Sequence, residues 1–440
     1  MGRQVPTAMV ARNLERGSGF LRPQLETAPF PNLFLVEPPV YAAAVVGLRS
    51  ATGLALEPAG RLVSALGMTL GAWGLFGLAR RREGGRTALL AVAAFATFPL
   101  TIRYGRAFQP DALMLGTLVA GLRCWDEYES GEGWPWLAPA LVLLAIGLAL
   151  KIVSVYVLVP LIAVICRPPR PPKVALALGL VLPALAWYAH AALLLREGDG
   201  SRASADNGAI WLRVLIPSAL IRIETLRDLV RFLAVRGFTP LGFGLALWGL
   251  RGGDRLWRTW GAAALAALAF LAGKLHHEYY WLALAPLVAV GVGRSLVQLA
   301  GRRPALATGV GLALIGIALF QVSGTWRTPP EWVSLPEAGS TVRAAVPPGA
   351  WVVAPEALLY AADRRGCRLE FTPGGARRAA GEWGTVLDGD GIGGDPLALV
   401  EFYRARGAKF VADLGGGGDL LASDPARLTL QEAIRRRYNV

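Results

Sequence analysis

Long apolar stretches separated by short polar loops occupy residues 60–323 of this 440-residue sequence. A helix needs about 20 apolar residues to cross the hydrocarbon core of a bilayer. Ten spans are predicted, with more than one possible division of residues 134–167. They lie at residues 60–79, 87–102, 110–124, 134–150, 152–167, 174–195, 237–250, 259–273, 280–298 and 305–323. Residues 38–53 are apolar but short and contain Arg49, which predicts a helix lying on the membrane surface.

The composition supports this membrane interpretation. The chain is 54% hydrophobic and 17% charged, whereas soluble domains are about a quarter charged. The formal net charge of +14 is typical of cytoplasmic loops that face anionic lipid. The sequence has no arginine-rich soluble module with interleaved aromatic residues, so we expect no nucleic-acid partner. The sequence therefore predicts an α-helical polytopic membrane protein with ten or eleven transmembrane helices, in contact with membrane lipid.

Lysine and arginine in the short loops predict which side each loop faces. The basic loops at residues 79–86, 167–173, 251–258 and 301–304 are expected in the cytoplasm, and the acidic loop 125–133 falls on the same side. The outer side then holds the N-terminal 59 residues, the other alternate loops and everything after residue 324. We therefore predict three domains: a periplasmic first loop with an interfacial helix (1–59), a transmembrane domain (60–323) and a periplasmic domain (324–440).

Four cations stand at outer span ends, where the positive-inside rule predicts few: Arg103, Arg106, Lys151 and Lys274. Each could extend towards the outer lipid headgroups. Together they favour a cavity that binds a lipid phosphate, because guanidinium and ammonium groups both hold phosphate oxygens.

Two acidic residues and one polar segment are candidates for chemistry. Asp111 follows Pro110 at a helix start, where a carboxylate either complements the helix dipole or points into an outer cavity. Glu37 precedes two prolines and is either a solvated charge or a ligand for a divalent cation. The segment "GKLHHEYYW" (273–281) combines interfacial aromatics with histidines that can bind a metal, donate to a phosphate or shuttle a proton.

Several stretches occur in an order that resembles a known superfamily. They are "RQVPTAMVARNL" (3–14), "VEPPVYAAAV" (36–45), "GRLVSALG" (60–67), "PLTIRYGRAFQPDALML" (99–115), "LALK" (148–151), "WYAHAALL" (187–194), "FTPLGFGLALWGL" (238–250) and "HHEYYWLALAP" (276–286). Together they resemble the membrane glycosyltransferases of the C-type fold, in the bacterial branch similar to dolichyl-phosphate-mannose protein mannosyltransferases and the lipid A aminoarabinose transferase.

The resemblance implies an inverting glycosyltransferase of the bacterial inner membrane. Its donor would be a polyprenyl-phosphate-linked sugar, and its acceptor a lipid, glycan or protein at the periplasmic face. Some members also use a divalent metal ion. By position in the family motifs, the resemblance implies catalytic roles for Asp111 and Glu37 and metal ligation by Glu37 and His277. The predicted donor-phosphate residues are Arg103, Arg106, Lys151, Lys274, His277, Tyr279 and Tyr280.

Two departures from the family pattern matter. Pro6 stands where relatives have the first-loop aspartate, and proline cannot act as a base or ligand. Either Glu37 or Asp111 deprotonates the acceptor, or the acceptor needs little activation, or the protein is a catalytically degenerate binder or translocator of lipid-linked sugar. Relatives also have a transmembrane helix before the first loop, whereas this sequence starts inside that loop, through a late start or a true truncation.

Residues 324–440 change character, with more glycine, proline and charge. Helical patterns alternate with short apolar runs such as "AWVVA" (350–354) and "KFVADL" (409–414). This alternation predicts a small α/β domain on the periplasmic side, suited to hold the acceptor or cover the cavity.

Overall fold

The structure is a computed structural model that describes residues 3–166, 168–196, 227–228, 230–271, 277–383, 394–414 and 425–437. The chain forms two compact units. The helical unit comprises Glu37–Ala189 and Trp211–Trp326, and the sheet unit comprises Met1–Val36, His190–Ile210 and Arg327–Val440. Residues 1–36 thus belong with residues 327–440, while residues 37–59 belong with the apolar helices. The assignment of these parts to periplasm and membrane stays a prediction.

The helical unit is built from α-helices joined by short 3-10 and π-helical segments. Its α-helices are Val40–Thr52, Leu56–Glu83, Gly85–Thr97, Pro99–Tyr104, Asp111–Glu127, Leu137–Leu150, Leu158–Pro160, Pro171–Gly179, Leu182–Arg196 (which contains the boundary between the units), Pro240–Gly249, Arg255–Phe270, Ala285–Arg302 and Pro304–Ser323. The 3-10 and π segments are Tyr128–Glu132, Trp134–Trp136, Ile152–Val157, Leu161–Ile165, Phe232–Gly237, Glu278–Leu284 and Gly324–Trp326.

Four of the described helical stretches are long and apolar enough to cross a membrane: Leu56–Glu83, Pro171–Arg196, Glu278–Arg302 and Pro304–Trp326. Shorter apolar helices occupy several other predicted spans, among them Gly85–Thr97 and Pro240–Gly249. The chain is therefore a multi-pass membrane protein by its apolar helices, and the count of ten or eleven crossings stays a prediction. The predicted surface segment 38–53 is helical over Val40–Thr52.

Glycines bring the helices Leu56–Glu83 and Asp111–Glu127 into backbone contact. A Cβ added at Gly116 would lie 1.9 Å from the carbonyl oxygen of Gly67, and one added at Gly74 would lie 2.6 Å from the amide nitrogen of Ala120. Small residues allow this close approach, which is the usual packing mode of membrane helices. The contact fixes the helix that begins at Asp111.

Ion pairs join the predicted cytoplasmic loops of the helical unit to one another. Arg81 Nε lies 3.2 Å from Asp126 Oδ2, and Arg82 contacts both Asp126 and Asp254. Lys173 pairs with Glu129, and Glu83 pairs with Arg294 of the helix Ala285–Arg302. The acidic loop 125–133 thus supplies carboxylates to the basic loops around it. These ion pairs bring the acidic loop to the basic loops 79–86 and 167–173, with which the sequence groups it.

The sheet unit contains a three-stranded parallel sheet. Its strands are β1 (Trp351–Ala354), β2 (Gly366–Arg368) and β3 (Ala408–Val411), in the order β2-β1-β3. Val353 pairs with Cys367 on one side of β1, and Val352 pairs with Phe410 on the other. Parallel strands require crossover connections, and helices supply them. The α-helices of this unit, apart from Leu182–Arg196, are Gln4–Glu15, Pro330–Val333, Leu335–Ala345, Glu356–Ala362, Pro373–Gly381, Pro396–Ala405 and Pro425–Arg437.

The N-terminal segment packs against this sheet. The amide of Ala28 donates to the carbonyl of Gly366 at 2.7 Å, and the Arg12 guanidinium pairs with Glu26 and donates to the carbonyl of Tyr360 at 2.8 Å. Strands β1 and β3 lie where the apolar runs predict them. The periplasmic location of this unit stays a prediction.

Candidate functional site

The site lies in the helical unit, where the helix Asp111–Glu127 begins. Asp111 is the first helical residue, directly after Pro110. The chain before it is held by hydrogen bonds to a neighbouring helix. The Ser64 hydroxyl donates to the carbonyl of Ala107 at 2.6 Å and lies 3.4 Å from the carbonyl of Gln109. These buried hydrogen bonds hold the backbone that leads into Asp111.

Lys151 forms a buried ion pair with Asp111. The lysine stands at the break between the helix Leu137–Leu150 and the 3-10 segment Ile152–Val157, in an extended backbone conformation (φ −157°, ψ 119°). Its Nζ lies 2.6 Å from Asp111 Oδ1, and the two side chains are 4% and 1% exposed. Burial of a single charge here would be costly, so each group requires the other or an equivalent partner.

An aromatic cluster covers the lysine. Lys151 Nζ lies 3.9 Å from the ring centroid of Tyr279 and 5.5 Å from that of Tyr280, distances typical of cation–π contacts. The ring of His277 stacks on Tyr279 with centroids 5.3 Å apart and an interplanar angle of 11°. The ring of Tyr104 meets Tyr279 edge-on at 6.2 Å. The predicted histidine–tyrosine segment is thus brought to the predicted lysine and aspartate.

Glu278 bridges two arginines beside this cluster. Its Oε2 lies 3.1 Å from a terminal guanidinium nitrogen of Arg103, and its Oε1 lies 3.1 Å from one of Arg236. The Arg236 side chain is 62% exposed, whereas those of Arg103 and Glu278 are each 19% exposed. Arg236 and Glu278 were not among the predicted site residues. Arg236 stands at the predicted outer start of the span 237–250, so it carries the same sequence signal as Arg103, a cation at an outer span end.

The other predicted residues have separate surroundings. Arg106 is exposed and its guanidinium donates to the carbonyl of Thr325. Glu37 is half-buried, three residues before the helix Val40–Thr52. Lys274 lies outside the described residues, as does the neighbouring His276. The roles of these residues, and those of the clustered ones, stay predictions.

The described residues do not form a metal centre. Within that part of the chain, no group of three histidine, cysteine, aspartate or glutamate side chains is placed to hold a metal ion. Glu37 and His277, the predicted ligands, are both among the described residues and belong to no such group. The metal stays a prediction from the resemblance, and the chemistry proposed for the site uses none.

Among the described residues, the cluster combines three cations with two carboxylates. Arg103, Lys151 and Arg236 outweigh Asp111 and Glu278 by one positive charge, and charge-assisted hydrogen bonds from such cations are well suited to phosphate. Asp111 adds a carboxylate that can accept a proton. This arrangement can bind an anionic group and remove a proton beside it.

The sequence model of the dolichyl-phosphate-mannose-protein mannosyltransferase family matches residues 36–189, which include Glu37, Asp111 and Lys151. Two crystal structures of ArnT from Cupriavidus metallidurans match the chain over most of its length. The apo structure has 15% identity, a TM-score of 0.56, and coverage of 82% of this chain and 80% of ArnT. The structure bound to undecaprenyl phosphate has 14% identity, a TM-score of 0.58, and coverage of 93% and 85%.

The predicted resemblance is confirmed. The oligosaccharyltransferase of Archaeoglobus fulgidus, solved in complex with zinc and sulfate, also matches, with 13% identity, a TM-score of 0.51 and coverage of 82% of this chain and 57% of its own. No curated protein sequence matches the chain. At these identities the structural matches show the fold alone. The chain therefore has the fold of the C-type membrane glycosyltransferases.

Proposed function

We propose that this protein is an inverting glycosyltransferase. It would move a sugar from a polyprenyl-phosphate carrier to a lipid, glycan or protein acceptor at the periplasmic face of a bacterial inner membrane. The observation that carries the proposal is the buried Asp111–Lys151 pair, which lies under the Tyr279 ring and beside two arginines. The family match and the ArnT structure with bound undecaprenyl phosphate support this donor class.

The proposed reaction is a single displacement at the anomeric carbon. An acceptor hydroxyl attacks this carbon from the face opposite the phosphate, so a new carbon–oxygen bond forms as the bond to the phosphate oxygen breaks. The hydroxyl proton passes to Asp111, and the bonding electron pair leaves with the polyprenyl phosphate. Lys151, Arg103 and Arg236 offset the charge that develops on the departing phosphate.

The resting ion pair has a function in this scheme. While Lys151 contacts Asp111, its ammonium group occupies one oxygen of the carboxylate. A bound phosphate would compete with Asp111 for the ammonium group. Donor binding would thereby free the carboxylate to accept the proton. The second predicted acid, Glu37, is the alternative base.

A second candidate function is binding or translocation of lipid-linked sugar without chemistry. The observation that favours it is Pro6, which replaces the family aspartate and lies buried in the helix Gln4–Glu15. A pure binder would retain the donor unreacted, whereas an enzyme would release polyprenyl phosphate. The two functions therefore differ in one measurable product.

The test follows labelled sugar on undecaprenyl phosphate, with the purified protein in nanodiscs and an extract of envelope lipids and glycans as acceptor. We expect transfer by the wild type, and a loss of at least about 100-fold in Asp111→Asn and in Glu37→Gln, the scale expected for removal of a general base. Asp126→Asn is the matched control, because it changes a buried acid at the other end of the same helix. Wild-type rates in both of the first two variants would refute the assignment of the acids.

A further inference from the structure

Two buried polar atoms on the same short segment have no hydrogen-bond partner among the described residues. They are Oδ2 of Asp111 and Nε2 of Gln109. The two residues are 1% and 4% exposed, so bulk water does not satisfy these atoms. Native proteins satisfy the great majority of such groups, since leaving one unpaired in the interior costs free energy. An unpaired acceptor and an unpaired donor two residues apart indicate a ligand that bonds to both.

The backbone around Gln109 has little freedom to relax. The amide of Gln109 donates to the carbonyl of Ala107 at 2.8 Å, and the ring of Phe108 meets that of Tyr41 edge-on at 5.6 Å. Phe108 also fills the space beside Gly60, where an added Cβ would lie 2.2 Å from the ring. The segment is therefore wedged against its neighbours, so the backbone that carries the Gln109 side chain is held in place before any ligand arrives.

The chemistry of the two atoms selects the ligand class. A phosphate ester that is fully ionised only accepts hydrogen bonds, so it cannot satisfy a carboxylate oxygen, and a polyprenyl tail satisfies neither atom. A hydroxyl both donates and accepts, so it can pair with the carboxylate and with either end of the glutamine amide. Of the parts of a lipid-linked sugar, the sugar meets both needs, through its hydroxyls.

We infer that Gln109 binds the sugar of the donor. Its side-chain amide and Oδ2 of Asp111 both hydrogen-bond hydroxyls of the transferred sugar. Oδ1 of Asp111, once released by Lys151, takes the proton of the acceptor hydroxyl. The inference rests on the proposed function and deepens it by dividing the site. Lys151 and the arginines hold the phosphate, and Gln109 distinguishes a sugar-bearing carrier from a bare one.

The experiment compares Gln109→Met with the wild type, because methionine has a similar length and cannot donate a hydrogen bond. Dissociation constants are measured in nanodiscs for bare undecaprenyl phosphate and for a panel of undecaprenyl-phosphate pentoses and hexoses. We expect Gln109→Met to weaken binding of the preferred sugar-bearing carrier about tenfold, the scale of one lost buried hydrogen bond. Binding of bare undecaprenyl phosphate should stay within about twofold.

Gln109→Asn keeps the amide on a shorter side chain and tests the same point if the methionine variant does not fold. We expect it, too, to weaken only the sugar-bearing carrier. If the variants bind both ligands as the wild type does, or weaken both equally, the role of Gln109 is refuted and the proposed function stands. If the wild type binds none of the ligands, the proposed function fails, and the inference fails with it.

Discussion

Replacement of Lys151 by methionine tests the central feature of the site. The substitution keeps most of the side-chain volume and removes the charge, which leaves the Asp111 carboxylate 1% exposed without its partner at 2.6 Å. Breaking a buried ion pair from one side costs about 3–5 kcal/mol, because the remaining charge is uncompensated. The loss of the cation–π contact with Tyr279 adds about 0.5–2 kcal/mol. We therefore expect Lys151→Met to be strongly destabilised.

The double variant Asp111→Asn with Lys151→Met isolates the electrostatic part. Replacing a whole buried pair by uncharged groups of similar volume is often neutral or stabilising, because both desolvation costs disappear. We therefore expect the double variant to be more stable than Lys151→Met alone, although it should not transfer sugar. Stability and activity would then separate in a single protein.

The assay is equilibrium unfolding in mixed micelles, followed by the fluorescence of the 14 tryptophans. Lys173→Met is the matched control, since the Lys173 side chain is 27% exposed in its pair with Glu129. Such a partly exposed pair contributes about 0–1 kcal/mol. The reasoning is refuted if Lys151→Met costs no more than Lys173→Met. It is equally refuted if the effects of the two site substitutions simply add, since residues in contact should be coupled.

Three further predictions concern other parts of the chain. Arg236→Gln should raise the KM for the donor severalfold. It should change the free energy of unfolding by less than about 0.5 kcal/mol, because the side chain is 62% exposed. Kinetics that match the wild type would contradict the role of Arg236 in binding the phosphate. Gly116→Ala should cost about 1–3 kcal/mol or more in the same unfolding assay, since the added Cβ meets a backbone carbonyl. Gly244→Ala is the control and should be tolerated, because its added Cβ meets nothing within 4 Å. Equal costs would contradict the close helix contact. The hydrogen bond from Arg16 lowers the pKa of Asp363, so Asp363→Asn should cost up to about 1 kcal/mol of folding stability above about pH 4, where the unfolded carboxyl is ionised. This cost should vanish as the pH falls through the lowered pKa of the folded state. A cost independent of pH would contradict the ion pair.

The sequence by itself determined the class of protein and much of the site. Apolar runs of membrane length and the order of short motifs predicted the C-type fold, which the structural matches bear out. Polar residues in so apolar a sequence are few, and in a membrane each needs a partner. Asp111, Lys151 and the His277–Tyr280 segment could therefore be expected to meet, and the structure brings them together.

Only the tertiary structure decided which distant groups pair. Glu278 meets Arg103 across 175 positions of sequence, and the acidic loop 125–133 meets the basic loops 79–86 and 167–173. Local composition shows that such charges exist, but helix packing determines which of them come within hydrogen-bond distance. Packing also decides the role of Gln109, which in the sequence does not differ from an ordinary polar loop residue. Burial of its side-chain amide, and the lack of a hydrogen-bond partner for Nε2 among the described residues, depend on how the surrounding helices pack. The sequence alone does not show either property.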